Sequence, residues 1–112
     1  MIGTFEYVLD RGALAAFPAS ARPKYVKLMS SLVEGRQFRY LLCAYNYDQG
    51  KFLGPPHSVT EGEVEGLYGD FARVESVSFV DDSEAMKKLF GVEPFLRMLA
   101  ILTDKNVIED ED

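Results

Sequence analysis

The sequence predicts an α/β fold, a β-sheet whose strands are joined by helical crossovers. Three observations carry that reading. Strand-like and helix-like segments alternate along the chain in the order strand, helix, strand, helix, strand, helix, strand. The helix-like segments carry their own start or stop signals: Gly35 after the first, Thr60 with Glu63 at the second, Ser83 and Gly91 around the third. The centre of the second strand, Tyr40 to Ala44, is apolar on both faces, as expected of a strand covered on both sides. At 112 residues the chain fits a single domain with room for a core, and it shows no repeat and no low-complexity linker.

Residues 5–10, FEYVLD, alternate with Phe5, Tyr7 and Leu9 on one face and read as the first strand. Asp10-Arg11-Gly12 and a short apolar stretch to Phe17-Pro18 follow. From Arg22 to Val33 the apolar residues fall at Tyr25, Leu28, Met29, Leu32 and Val33. That is the i, i+3, i+4, i+7, i+8 spacing of one helix face, and Gly35 stops it. Residues 38–45, FRYLLCAY, form the second strand, which opens into a loop turning through Gly54-Pro55-Pro56. Thr60 with Glu63 matches a capping box, and Val64, Leu67 and Tyr68 make the inner face of a short helix ending near Gly69. In residues 73–80, RVESVSFV, the apolar residues alternate unevenly, which suits a strand near a sheet edge. Ser83 caps a helix carrying Met86, Leu89 and Phe90, and residues 95–103, FLRMLAILT, form the last and most apolar strand.

Composition bounds the partners. The net charge of −6 argues against nucleic acid, and no apolar run approaches the roughly 18 residues of a membrane span. Glu109 to Asp112 supply four of the eighteen acids, so residues 106–112 read as a solvated, disordered acidic tail. The N-terminus has neither the basic nor the apolar region of a secretory signal. The single cysteine, Cys43, sits in an apolar run and fits a reducing, cytoplasmic setting as a small core residue.

Several kinds of site are excluded or left open by the residues. No G-x-G follows a strand, and there is no P-loop, so the standard dinucleotide motifs are absent. One histidine and one cysteine are too few for a zinc site, and Asp81, Asp82 and Glu84 read as the acidic start of a helix. His57 is the one histidine available as a base, beside Ser58, but no G-x-S-x-G elbow accompanies it, and a packing or surface role fits it as well. Asp10 and Arg11 sit just past the carboxyl end of a strand, where open α/β sheets place ligands. Arg11 either orients an anionic ligand or pairs locally with Asp10. Tyr45, Tyr47 and Asp48 leave the end of the next strand on the same rim. Two neighbouring strand ends thus form a crevice rim whose ligand the residues alone do not name.

The segments FEYVLDRGALAAFP, QFRYLLCAYNYDQGKFLGPPHSV, EVEGLYGDF and ILTDK together resemble the thiopurine S-methyltransferase family, over about residues 3–105. Its members show a D-R-G-A-L segment, a strand end closing in Y-D, a G-P-P loop and a closing hydrophobic strand in this order. The resemblance implies the C-terminal half of a Rossmann-like class I methyltransferase sheet, strands four to seven, with the last strand antiparallel and residues 1–105 as the domain. It implies S-adenosylmethionine as methyl donor and an aromatic or heterocyclic thiol as acceptor. The family's donor loop and ribose-binding acid belong to the half this chain lacks.

Residue by residue, the resemblance assigns Arg11 to the methyl-donor pocket and Pro55 and Pro56 to the wall of the substrate side. Asp10, Tyr47 and His57 join them as substrate-side candidates. No catalytic residue is assigned, since aligning an easily ionised thiol is the main requirement. Two departures stand out. His57 occupies a position where the family usually has phenylalanine. Met86, with Lys87 beside it, stands near where the family can place a substrate-side arginine. The expectations that follow are weak or no binding of S-adenosylmethionine by this chain alone and a first strand, residues 5–10, left as an edge. That edge would take up an N-terminal half or a second copy. The alternative function is a non-catalytic pairing module.

Overall fold

A computed structural model describes residues 5–105; the acidic tail expected at 106–112 lies outside the described residues. The elements are β1 (Phe5–Arg11), α1 (Ala13–Ala16), α2 (Arg22–Val33), β2 (Gln37–Tyr47), α3 (Glu61–Tyr68), β3 (Ala72–Asp81), α4 (Ser83–Phe90) and β4 (Phe95–Asp104). Single 3-10 turns lie at Ala19–Ala21 and Gln49–Lys51. The sheet order is β1-β2-β4-β3. β1 runs parallel to β2, while β4 is antiparallel to both β2 and β3. This is the mixed α/β sheet the sequence pointed to, compatible with part of a Rossmann-like methyltransferase fold. The last strand is inserted antiparallel and β3 lies on the edge.

One face of the sheet is well covered. Phe38, Tyr40, Leu42 and Ala44 of β2, with Met98, Ala100 and Leu102 of β4, pack against Leu14, Val26, Val33, Val64 and Tyr68 from the helices. α3 starts on the capping box: Glu63 N donates to Thr60 Oγ1 at 3.1 Å, and Thr60 N donates to Glu63 Oε1 at 3.0 Å. Two orphan amides of the first turn are satisfied this way, worth about 1 kcal/mol for the cap.

α2 has the bounds the spacing predicts and only part of the buried face. Arg22, Val26 and Val33 point inward, Tyr25 and Met29 are half-buried, and Leu28 and Leu32 are more than half exposed. The reason is Arg22. Its guanidinium is 2% exposed and donates to Glu63 Oε2 at 2.8 Å, Phe17 O at 3.2 Å and Ser58 O at 3.0 Å. A fully hydrogen-bonded arginine fixes the helix rotation, and the outlying leucines follow it.

The opposite face is largely open. α4 covers one end, where Met86 and Phe90 pack with Tyr47, Val92 and Phe95. Beyond it, Leu41, Cys43, Leu99 and Ile101 are only half-buried, and Tyr7 and Leu9 are 79% and 62% exposed. The alternation is present from Tyr7 to Asp10, yet Tyr7 and Leu9 face outward, and Val8 and Asp10 face the core. Likewise the both-sided apolar character of Tyr40 to Ala44 meets cover on one side only. A further difference is Ser83, which is the first residue of α4 and not its cap. Its hydroxyl accepts from Phe95 N at 2.9 Å, and its own amide donates to Asp81 Oδ1.

Candidate functional site

The carboxyl ends of β1 and β2, the loop after β2 and α4 meet around a cavity of about 360 Å³. Gly12, Ala16, Tyr45, Pro55, Pro56, Met86, Leu89 and Phe90 line it. The wall is apolar and carries no formal charge. Its size lies at the lower end of the range for small-molecule pockets, and its place at strand carboxyl ends is where α/β sheets put ligands.

The β1 end of the pocket rests on Asp10, which is 4% exposed. Its Oδ1 accepts from Ala13 N at 3.2 Å; its Oδ2 accepts from Tyr25 OH at 2.6 Å and Tyr40 OH at 2.7 Å. Burial, then the hydrogen bond to Asp10, pushes the Tyr25 phenol above its ordinary range. Burial, then the nearby Tyr68 and Asp10, pushes the Tyr40 phenol up much further. Both hydroxyls are therefore held as donors to the carboxylate. The chain next passes through Gly12 in the left-handed region at φ 79°, where a side chain would be strained, and Gly12 N donates to Cys43 O at 3.0 Å. Arg11, between these two fixed residues, is exposed and makes no hydrogen bond or ion pair with Asp10. Of the two readings left open for Arg11, local pairing with Asp10 is absent. Asp10 itself faces the core and not the pocket.

The other wall is built from the loop after β2. Tyr47 OH donates to Pro56 O at 2.6 Å, and the Tyr47 ring stacks on Phe95 with centroids 4.8 Å apart. Ser58 Oγ closes the loop by accepting from Tyr47 N at 3.0 Å and donating to Tyr47 O at 2.8 Å. Gln49 braces the turn through Phe52 O, Leu53 O and Ser58 N. Tyr47, 8% exposed, thus acts behind the wall and outside the lining, whereas Pro55 and Pro56 form part of the lining.

His57 turns away from this pocket. Its amide donates to Ala15 O at 2.6 Å, and its ring lies against Gly54, whose left-handed backbone at φ 96° would bring a Cβ within 2.7 Å of Nδ1. The ring instead borders a second hollow with Pro18, Tyr47, Gln49 and the buried Arg22. Of the residues singled out in the sequence, the fold therefore brings Gly12, Tyr45, Pro55, Pro56 and Met86 into one pocket, and the exposed Arg11 is outside its lining. Tyr47 and Asp10 stand behind the walls and His57 in the neighbouring hollow. Ala16, Leu89 and Phe90 were not legible as lining. Leu89 and Phe90 share the apolar spacing of an ordinary core helix, and only the placement of α4 over the strand ends turns them towards a cavity.

Asp10, the buried acid of this rim, faces the core and accepts from Ala13 N, Tyr25 OH and Tyr40 OH. No glycine-rich turn follows any described strand. Among the described residues no group of three or more His, Cys, Asp or Glu is placed to hold a metal.

The model of the family described as Thiopurine S-methyltransferase matches residues 1–105. A thiopurine S-methyltransferase of Bos taurus is 39% identical over 104 residues, which cover 93% of this chain and 42% of that protein. Those of Panthera leo and Equus caballus are each 36% identical over the same share. The chain thus spans less than half the length of these relatives. Matched along nearly its whole length, the chain belongs to the thiopurine S-methyltransferase family.

Proposed function

We propose that the chain is the acceptor-side part of an S-adenosylmethionine-dependent thiopurine S-methyltransferase. It holds a flat aromatic or heterocyclic thiol, working in the cytoplasm. The observation that carries the reading is the uncharged cavity between the Pro55-Pro56 wall and α4, whose lining includes Gly12, the residue after the exposed Arg11. The donor supplies a methyl group for transfer to sulfur. This chain's part is to seat the acceptor ring, exclude water along its apolar faces and leave its sulfur at the rim. There the exposed guanidinium of Arg11 attracts negative charge.

The donor's other flank would come from a further polypeptide segment docking along β1. Support comes from the sheet order, which among the described residues places β1 at one end of the sheet, and from the exposure of Leu9. The share of the relatives' length that the chain spans points the same way. The free edge also favours a second reading, a non-catalytic module that pairs through β1 with a second copy.

Isothermal titration of the purified chain with S-adenosylhomocysteine, run beside its elution volume, tests both. The expected result is a folded chain without micromolar binding. Micromolar binding that is lost in Arg11→Ala would overturn the view that this chain lacks half of the donor site. A stable dimer without ligand binding would favour the module.

A further inference from the structure

On the open face of the sheet the charge of the chain is reversed. Side chains paired across neighbouring strands stand on one side of a sheet, and successive residues of a strand alternate between sides. Phe38, Tyr40 and Leu42 are buried under the helices, so Arg39, Leu41 and Cys43 stand on the other side. The register carries that side across the sheet: Leu9, Leu41 and Ile101 lie in one row, and Arg39 and Arg73 flank Thr103 in the next. Arg11, opposite Cys43, and Arg97, opposite Tyr45, bring to four the arginines around this apolar strip. Arg97 is held by Asp82 at 2.8 Å. Arg11 and Arg39 are exposed and, among the described residues, make no hydrogen bond or ion pair. A cationic face on a chain of net charge −6 calls for an acidic occupant, and a second copy of the same face would set arginine against arginine.

The chain itself contains such an occupant. Residues 106–112, NVIEDED, lie outside the described residues and set two apolar residues and then four acids directly after Lys105, at the end of β4. Arg39 stands beside Thr103, two positions before Lys105, so strand spacings put it roughly 9 Å from Lys105. The four residues from Lys105 to Glu109 span up to about 13 Å, which reaches it. We propose that this acidic stretch docks on the open face of its own sheet, with Glu109 to Asp112 against Arg39 and Val107 and Ile108 over Leu41 and Ile101. The contact joins ion pairs to apolar cover, in place of the solvated tail read from composition. It stands whether or not the cavity under α4 takes a thiol.

The test uses the full 112-residue chain with a nitroxide on Asp112→Cys and Cys43→Ala removing the other thiol. At low salt the label should broaden the amides of Leu41 and Ile101 several-fold more than that of Val26, on the helical side. Arg39→Gln should lower the docking equilibrium read from that broadening about twofold to fivefold, the range for one exposed ion pair, and raised salt should lower it too. A second readout needs no label: the Arg39 Nε–Hε resonance should move when Glu109→Gln, Asp110→Asn, Glu111→Gln and Asp112→Asn are combined. Broadening that is absent, equal on both sides or unchanged by Arg39→Gln would overturn the proposal, as would an Arg39 resonance that stays in place. Broadening only between labelled and unlabelled molecules in a mixed sample would also overturn it, by placing the stretch on a second copy.

Discussion

Removing one hydroxyl, Tyr40→Phe, isolates the buried carboxylate that anchors the β1 end of the pocket. The phenyl ring keeps its volume, so no cavity opens, and the edge contact with Tyr68 at 5.6 Å centroid separation persists. What disappears is a 2.7 Å hydrogen bond to Asp10 Oδ2 in a place with no access to water. A bond to a charged group is worth about 1.5–3 kcal/mol, and a buried site puts the loss in the upper part of that range. Tyr25→Phe deletes an even shorter bond, 2.6 Å to the same oxygen, but Tyr25 is half-buried, and water can replace its hydroxyl. Its loss should cost about 1 kcal/mol. Urea unfolding followed by far-ultraviolet circular dichroism gives both values, with the slopes checked for equality. Exposure, not length, is what orders the pair. A cost below about 0.5 kcal/mol for Tyr40→Phe, or a larger one for Tyr25→Phe, would refute the argument.

Among the described residues the neighbouring Tyr68 hydroxyl is buried with no partner in good hydrogen-bond geometry, so Tyr68→Phe should stabilise the chain by about 1 kcal/mol in the same assay. The phenols of Tyr25, Tyr40 and Tyr68 are raised above the ordinary value of 10, first by burial. Native chains therefore hold these protons more tightly than unfolded ones. Stability should be full below pH 10 and fall as pH climbs above it. Absorbance at 295 nm should show these phenols ionising together with unfolding; smooth ionisation in a chain that stays folded would contradict this. Gly54→Ala places a methyl group 2.7 Å from His57 Nδ1 on a backbone at φ 96°. It should cost about 1–2 kcal/mol, with no recovery in a Gly54→Ala, His57→Ala double variant beyond the steric share.

Local chemistry was legible and neighbourhood was not. The bounds of α2, the Thr60–Glu63 box and the edge character of β3 rest on spacing and capping, which short stretches encode fully. The inward face of α2 does not. Of the apolar stripe Tyr25, Leu28, Met29, Leu32 and Val33, only Tyr25, Met29 and Val33 reach the core, since Arg22 with its three acceptors sets the rotation that leaves Leu28 and Leu32 outside. Nothing in the spacing of residues 22–33 reveals that Glu63 and Ser58 will meet that arginine. Asp10 reads as a rim residue because it ends a strand, and its burial depends on tyrosines 15 and 30 positions later. His57 was drawn to attention as the chain's one imidazole, but its ring direction is set by the left-handed Gly54 three residues before it. The exposure of Tyr7 and Leu9 is not legible either, since their alternation fits an inward face as well as an outward one.

The placement of β4 has a consequence for how such a chain is made. The final described strand lies at the centre of the sheet, with Arg39 opposite Thr103 on one side and Val74 opposite Leu102 on the other. During synthesis β1 and β2 can pair as soon as they emerge, but β3 finds no partner in the sheet until the residues after Pro94 follow it out. The middle of the described sheet therefore forms only after both of its flanks have emerged, and β3 waits for its partner through that interval. A stop codon shortly before Phe95 would remove the keystone and not a margin. It would separate β3 from the rest of the sheet and strip the Tyr47 ring of the Phe95 surface it stacks upon.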